Sequence, residues 1–132
     1  MTAQFSHEMP VRYRDLDPNN HVNNAVYASY FEEARIAYHQ AVLDREPEEY
    51  SLVLAGLEID FEREVRHGET IRTTVETVAM GTSSWTTEYE LFVDGERGAS
   101  GSATTVHVDP ERREPAPIPE DIRTAIEDYE GL

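Results

Sequence analysis

The residues best suited to chemistry lie in one stretch, Tyr13–Asn24. Asp15, Asp17 and His21 stand within seven positions there, with asparagines at 19, 20, 23 and 24. A carboxylate can act as a nucleophile or general base, and an imidazole can act as an acid, a base or an orienting group. The local sequence alone leaves two interpretations open, because an aspartate before Pro18 is also an ordinary turn former.

The patterns on either side predict the elements that position this stretch. Residues 4–14 alternate between apolar and polar positions, as a half-buried strand does, and Pro10 indicates a sheet edge or a bulge. Asn23 is the predicted N-cap of the helix that follows. Apolar residues then recur at helical spacing through 25–42, at Tyr27, Tyr30, Phe31, Ala34, Ala37, Tyr38 and Ala41, with Glu32, Glu33, Arg35 and His39 off that stripe. The start of such a helix offers unpaired N–H groups to a developing negative charge.

The rest of the chain is mostly strands. A polar connection at 44–49, which contains Pro47, is expected to hold a short helical turn. Alternating or β-branched runs then predict strands at 57–65, 70–80, 85–93 and 97–109, with turns at 67–69, 81–83 and 94–95, a proline-rich linker at 110–119 and a helix at 120–129. One strand, one long helix and four antiparallel strands predict a single α+β domain, 1–132.

Composition excludes several classes of function. The chain has 132 residues and no cysteine, so cysteine nucleophiles and thiolate metal sites are absent. It carries 27 acidic and 11 basic residues, all of the latter arginine, for a net charge of -16. Such a surface repels phosphate backbones, which argues against nucleic-acid binding, and it is typical of a halophilic source. The absence of a signal peptide or a long apolar run predicts a soluble, cytoplasmic protein without membrane contact.

Several segments, in order along nearly the whole chain, carry a resemblance to a known family. They are Tyr13–Pro18, His21–Asn24, Phe31–Arg35, Ile59-Asp60-Phe61 through Gly68-Glu69, Ser83-Ser84-Trp85 through Tyr89-Glu90, and Val108-Asp109-Pro110 with Pro117-Ile118-Pro119. Together they resemble the hot-dog-fold thioesterases of the 4-hydroxybenzoyl-CoA thioesterase family. The resemblance implies a five-stranded antiparallel sheet wrapped round one long central helix, with a short C-terminal helix. It also implies an acyl-CoA substrate and a homodimer at minimum, favouring a homotetramer, with active sites at the dimer interface.

The resemblance assigns roles to individual residues. Asp17 falls where the family places its nucleophile or general base, and Asn24 where a backbone N–H at the helix start polarises the thioester carbonyl. His21 is expected to orient the site or contact the carbonyl, and Glu33 is the reserve carboxylate. The residues expected to contact substrate are Asn23, Tyr27, Phe31, Ser83, Ser84, Arg66 and His67.

Other interpretations remain at this stage. One is a non-catalytic acyl-CoA-binding module, and another is a hot-dog enoyl-CoA hydratase, whose Asp/His dyad belongs to a different motif. No cofactor is expected apart from the coenzyme A of the substrate, and no metal site, because the five histidines lack ligand spacing. The acyl class, aryl or fatty, stays open, as does the carrier, although an acidic surface argues against an acidic carrier protein.

Overall fold

Five strands form one antiparallel sheet, and a long helix lies across one of its faces. The computed structural model describes residues 4–46 and 49–132. Its elements in chain order are β1 (Phe5–Pro10), a 3-10 turn (Tyr13–Asp15), α1 (Val26–Leu43), β2 (Leu52–Phe61), β3 (Thr70–Met80), β4 (Ser84–Val93), β5 (Glu96–His107) and α2 (Glu120–Glu130). The strand order β1-β3-β4-β5-β2 places β1 and β2 at the two edges. No described helix is long and apolar enough to cross a membrane.

The main core lies between α1 and the inner face of the sheet. Alternate residues of β4 point inward and are buried, and the Phe31 ring of α1 stacks on Tyr89 with centroids 4.8 Å apart and planes 5° from parallel. Gly101 pairs with Tyr89 across the sheet. A Cβ added at Gly101 would lie 2.8 Å from the Phe31 ring, so glycine is required for this close approach.

Two strand predictions need correction. β1 stops at Pro10, four residues before the predicted end, because a 3-10 turn at Tyr13–Asp15 follows it. β2 occupies Leu52–Phe61 where 57–65 was predicted. Its pairing with β5 ends at Phe61, beyond which the N–H groups of Glu62 and Arg63 both donate to the Gly98 carbonyl, so the chain leaves the ladder. Pro10 does end an edge strand, as predicted.

Two helix predictions also need correction. The N-cap of α1 is Ala25, two residues after the predicted Asn23, although the Asn23 side chain accepts the Ala25 N–H at 2.8 Å. His39 was placed off the apolar stripe but is only 3 % exposed, because Tyr50 and neighbouring strands cover that flank of the helix. The turn predicted at 44–49 contains Pro47, which lies outside the described residues, so that turn stays a prediction. The helix predicted at 120–129 is confirmed, because α2 spans Glu120–Glu130.

Candidate active site

Residues 16–22 form a closed loop between β1 and α1. Leu16 and Val22 form an isolated antiparallel β-bridge that closes the loop. Within it, the Asp17 N–H donates to the His21 carbonyl at 2.9 Å and the Asn20 N–H donates to the Asp17 carbonyl at 3.0 Å. Asn20 has a φ of +66°, a left-handed conformation that asparagine tolerates better than most residues. The loop therefore has a defined shape set by its own backbone.

Asp15 fastens this loop to the protein. Its Oδ2 accepts the Arg12 N–H at 3.0 Å and the Tyr30 hydroxyl at 2.8 Å, and its carbonyl accepts the Asn23 N–H at 2.9 Å. Burial and the neighbouring Asp15 carboxylate raise the pKa of Tyr30 well above its usual range, so the hydroxyl remains a donor. Asp15 thus has a structural role in the loop.

Asp17 and His21 face each other across the loop. Asp17 Oδ1 accepts the Asn19 N–H at 2.8 Å, while Oδ2 lies 3.7 Å from His21 Nδ1. The other ring nitrogen, Nε2, lies 3.8 Å from a Glu64 carboxylate oxygen. Both separations exceed a hydrogen bond, and the imidazole sits between two carboxylates. The Asp17 side chain is 19 % exposed, which leaves water access to it.

The start of α1 leaves one backbone donor unused. The N–H groups of Asn23, Ala25, Val26 and Tyr27 all have acceptors in the loop or the first helical turn. The Asn24 N–H has none among the described residues. This is the position where the family resemblance places the group that polarises the substrate carbonyl, and a helix start favours negative charge there.

A surface cavity of about 220 Å³ lies beside this donor. His21, Val22, Asn24 and Tyr27 line one side, and the segment 61–64 lines the other. The Phe61 ring packs edge-on against Tyr27 at 4.9 Å yet remains 47 % exposed. The cavity therefore joins an imidazole, a free N–H and an accessible apolar wall. Asp17 does not line the cavity, but its carboxylate lies 3.7 Å from the ring of His21, which does.

The structure brings together only some of the predicted substrate contacts. Asn23 and Tyr27 belong to the site, whereas Phe31 is fully buried beneath it. Ser83 and Ser84 lie at the β3–β4 connection, at the opposite end of these strands from the loop, so within one chain they are remote from Asp17. Their contact with substrate stays a prediction.

Arg66 and His67, which were also predicted to contact substrate, lie near the loop, and each contacts another side chain. Arg66 donates to Glu64 at 3.0 Å, and the His67 ring lies edge-on to Tyr13 at 5.9 Å. Tyr13 is 80 % exposed. The reserve carboxylate, Glu33, lies 3.5 Å from an Arg12 nitrogen, as expected for a solvated helix face.

Sequence reasoning missed Phe61 and Glu64 as parts of the site. Phe61 is the last residue of the alternating strand β2. A large aromatic residue at the end of this strand could have marked Phe61 as part of the site. No pattern in the neighbouring sequence indicated that Glu64 belongs to the site. Its proximity to His21 depends on the antiparallel β-bridge between His21 and Arg66, which are far apart in sequence.

Titratable residues suited to metal binding do not cluster in this region. Among residues 4–46 and 49–132 there is no group of three or more His, Cys, Asp or Glu side chains that could hold a metal ion.

Comparisons with known proteins agree on the fold. The model of a family described as the thioesterase-like superfamily matches residues 11–126. YsmA of Bacillus subtilis, an uncharacterised protein, is 33 % identical over 109 residues, covering 81 % of this chain and 74 % of YsmA. A Thermus thermophilus thioesterase solved with coenzyme A and zinc is 40 % identical, with a TM-score of 0.87 over 96 % of this chain and 94 % of that one. A 1,4-dihydroxy-2-naphthoyl-CoA thioesterase from Synechocystis is 19 % identical and shares the fold, with a TM-score of 0.88 over 96 % and 97 %.

Proposed function

Because the chain belongs to the thioesterase-like superfamily, we propose that it is an acyl-CoA thioesterase, which hydrolyses an acyl-CoA to a free acid and coenzyme A. One observation carries the proposal: the Asn24 N–H has no acceptor among the described residues and lies at a cavity that it shares with His21. An unpaired donor at a helix start stabilises an oxyanion, which thioester hydrolysis creates and simple binding does not.

The reaction follows from the groups at hand. The thioester carbonyl oxygen accepts the Asn24 N–H, and the developing negative charge is stabilised at the start of α1. Asp17 either takes a proton from the attacking water or attacks the carbonyl carbon itself, giving an acyl-enzyme anhydride that water then hydrolyses. The carbon–sulfur bond breaks, and the thiolate leaves with the electron pair. The reaction requires no cofactor.

His21 orients the reacting groups in this scheme. Its ring lies 3.7 Å from the Asp17 carboxylate and lines the cavity, so it orients the carboxylate and contacts the carbonyl side of the substrate. Asn23 fixes the loop before the donor, and Tyr27 with Phe61 provides the apolar wall. The coenzyme A bound to the Thermus relative supports the same carrier here. Its phosphates would meet Arg66 and His67 at the rim of the loop.

The proposed assembly is a homodimer that pairs further into a homotetramer. β2 is an edge strand of ten residues whose inner-face side chains Leu54 and Phe61 remain 43 % and 47 % exposed. An edge of this length with apolar side chains tends to pair with another strand. A second β2 related by two-fold symmetry supplies one, in antiparallel orientation.

The test is thiol release from acyl-CoAs with aryl, short, medium and long acyl groups, in molar KCl. Wild type is compared with Asp17→Asn, which keeps the shape of the side chain but removes its basicity. We expect a loss of about 10³-fold or more in kcat/KM, since removal of a base or nucleophile commonly costs this much. Asp44→Asn is the control, because Asp44 is the C-cap of α1, far from the loop, and its left-handed φ of +54° suits asparagine.

Two results would contradict the proposal. If wild type bound acyl-CoAs but released no thiol from any of them, the protein would be a non-catalytic binding module. If Asp17→Asn retained full activity, the reaction would depend on another group, and Glu33→Gln and His21→Asn would then be compared.

A further inference from the structure

A second cavity, of about 180 Å³, lies on the flank of α1 beside the beginning of β2. Its walls come from one side of α1, from Tyr50 and the first residues of β2, and from Thr105 of β5. It shares no lining residue with the cavity at Asn24. The two cavities lie near Leu54 and Phe61 of β2, roughly 20 Å apart along the strand at about 3.3 Å per residue.

Arg35 places a positive charge in the wall of this cavity. Its side chain is only 11 % exposed, and its guanidinium carries five N–H groups. Among the described residues it makes one hydrogen bond, from Nη1 to the Tyr89 hydroxyl at 3.1 Å. No nitrogen of Arg35 belongs to the buried polar atoms that lack a partner in the described part of the chain, so its unbonded nitrogens reach accessible surface. The cavity is the open space that Arg35 lines.

The charge of Arg35 has little compensation from its neighbours. Burial raises the pKa of Tyr89, so the hydroxyl stays neutral and supplies no counter-charge. Among the described residues, Glu32 is the only ion-pair partner, and its carboxylate oxygen lies 3.7 Å from Nη2, beyond hydrogen-bond distance. The Glu32 side chain is 63 % exposed, so water screens this pair. A largely buried cation is costly without a close anion, and the anionic group of a ligand would supply one.

The other titratable groups around the cavity do not oppose an anion. Burial lowers the pKa of His39 to about 4, and the Arg35 charge adds a smaller effect in the same direction. The ring is therefore uncharged at neutral pH, and its Nδ1 lies 3.0 Å from the Tyr50 hydroxyl. Glu32 would compete for Arg35, but its exposed side chain can turn into the solvent.

The size and the remaining walls of the cavity indicate one end of a ligand. A volume of about 180 Å³ is several times the roughly 30 Å³ that one water takes in the liquid, but it is below the roughly 300 Å³ of the smallest complete ligand pockets. Ile36 of α1 and Leu52, Val53 and Leu54 of β2 supply apolar wall around Arg35. A short hydrocarbon segment that ends in a carboxylate fits this combination, because a guanidinium binds a carboxylate through paired hydrogen bonds.

We propose that Arg35 binds the ω-carboxylate of an acyl group in this cavity, so that the preferred substrates are coenzyme A thioesters of dicarboxylic acids. The inference rests on the proposed thioesterase function. In the proposed β2-paired dimer, antiparallel strands bring the beginning of one β2 beside the end of the other. The cavity of one protomer then lies next to the reacting loop of its partner, within reach of a short or medium acyl chain.

The experiment compares acyl-CoAs that differ only at the far end of the chain. Each straight chain from butanoyl to decanoyl is paired with the ω-carboxylate of the same length and with the ω-amide, which has the same shape but no charge. We expect kcat/KM to be about 10- to 100-fold higher for the ω-carboxylate than for the plain chain at the length that reaches Arg35, the usual worth of a hydrogen bond between charged groups. The ω-amide should show little of this gain.

Arg35→Gln removes the charge and keeps a polar side chain, so the ratio of kcat/KM between the ω-carboxylate and the plain chain should fall towards one. A ratio within one protein cancels any general loss of activity. Arg72→Gln is the matched control, because it removes an arginine that lies over the Phe92 ring. Its neighbour Ile71 faces the core under α1, so Arg72 lies on the opposite face of the sheet. This variant should keep the ratio of wild type.

Glu32→Gln separates ligand recognition from a purely structural role of Arg35. It removes the carboxylate that competes for the guanidinium, so the preference for the ω-carboxylate should rise by about two- to five-fold, the usual worth of an exposed ion pair. A structural role of Arg35 gives no reason for such a rise. Wild type and Glu32→Gln therefore test the inference even if Arg35→Gln does not fold.

The two proposals fail in different ways. If no thioester is hydrolysed, dissociation constants of the same intact acyl-CoAs, measured by titration calorimetry, replace kcat/KM and test the cavity alone. Equal values for ω-carboxylate, ω-amide and plain chains at every length, unaltered by Glu32→Gln, would overturn the inference. Free dicarboxylic acids of the same lengths form the last arm. If they bound through Arg35 while the acyl-CoAs showed no preference, the cavity would be a site for a free acid and the inference would be wrong.

Discussion

Asp15 and Asp17 are two residues apart, and the structure gives them different tasks. Asp15 is buried and bonded to Tyr30 and to the Arg12 amide, whereas Asp17 has one oxygen held by the Asn19 amide and the other directed towards His21. A carboxylate enclosed by donors is a structural support, and one with access to water is suited to reaction. The difference depends on which neighbours surround each side chain.

His39 is the residue whose burial has the clearest consequence for pH dependence. Its pKa is about 4 in the folded protein, mainly because burial disfavours the charged ring, against about 6.5 in an unfolded chain. Between these values the unfolded chain binds a proton that the folded chain does not, so stability rises with pH there. The contribution is fully present above about pH 6.5 and is lost as the pH falls towards 4.

We therefore predict that acid weakens the fold through His39. The free energy of unfolding of wild type should fall by about 3 kcal/mol more than that of His39→Gln between pH 7 and pH 4. Urea denaturation at intervals of half a pH unit measures this, with both proteins referenced to their own values at pH 8. Parallel pH profiles for the two proteins would show that His39 is not held neutral by burial.

At the scale of elements, α1 sits close to the sheet because one strand residue lacks a side chain. Gly101 lies opposite Tyr89, and Phe31 occupies the space where a Cβ would otherwise stand. The added Cβ would also lie 2.6 Å from the Glu58 carbonyl of β2. Both neighbours belong to packed elements and cannot move independently.

Gly101→Ala should consequently destabilise the protein by about 1–3 kcal/mol, the usual cost of overpacking. Gly98→Ala is the control in the same strand, since a Cβ there would meet its nearest atoms at 3.5–3.6 Å, which is ordinary contact. That variant should be neutral or slightly more stable, because alanine loses less entropy on folding. Chemical denaturation of the two variants measures the difference, and equal stabilities would contradict this account of α1 packing.

The terminal helix α2 packs Ile122 and Ile126 against Leu43 and Trp85, and one carboxylate at its end joins it to two other elements. Glu130 Oε2 accepts the Tyr38 hydroxyl and the Thr77 N–H, each at 2.7 Å. These two bonds join α2 to α1 through Tyr38 and to the sheet through Thr77.

At the scale of the whole molecule, the dominant feature is negative charge. The net charge is -16, and the outer face of the sheet carries Glu58, Asp60, Glu76 and Glu88 near one another. Glu76 and Glu88 are direct cross-strand partners, an arrangement in which like charges repel. Arg97 offsets part of this field through Glu62 at 2.8 Å and Glu90 at 3.0 Å.

Salt should therefore stabilise the protein, in keeping with the proposed halophilic origin. Raising KCl from 0.1 M to 2 M shortens the Debye length from about 10 Å to below about 3 Å, and we expect a rise in Tm on the order of 5–10 °C. Glu76→Gln should raise Tm at low salt and give little gain at high salt. Differential scanning calorimetry measures both effects. A Tm that does not rise with KCl would contradict the proposal, and so would a Glu76→Gln gain of equal size at every salt concentration.

The sequence by itself determined the order of the helices and strands and the position of the polar loop between β1 and α1. Alternation indicates strands, helical spacing indicates α1, and Asp94-Gly95 indicates a tight turn with two positive φ values, which the structure confirms. These signals are local, because each depends on neighbours within a few residues. The roles predicted for Asp17, His21 and the start of α1 came instead from the family resemblance, which depends on motifs along nearly the whole chain.

Only the tertiary structure decided which elements meet. Contacts between segments that are distant in sequence decide the strand order and the exposed edge of β2. They also decide the burial of His39 and the approach of Phe61 and Glu64 to His21. Periodicity shows that a residue can face inward, but coverage by a neighbouring element decides whether it is buried. His39 lies off the apolar stripe of its own helix, yet Tyr50 and β5 enclose it, and no pattern within α1 could have indicated that.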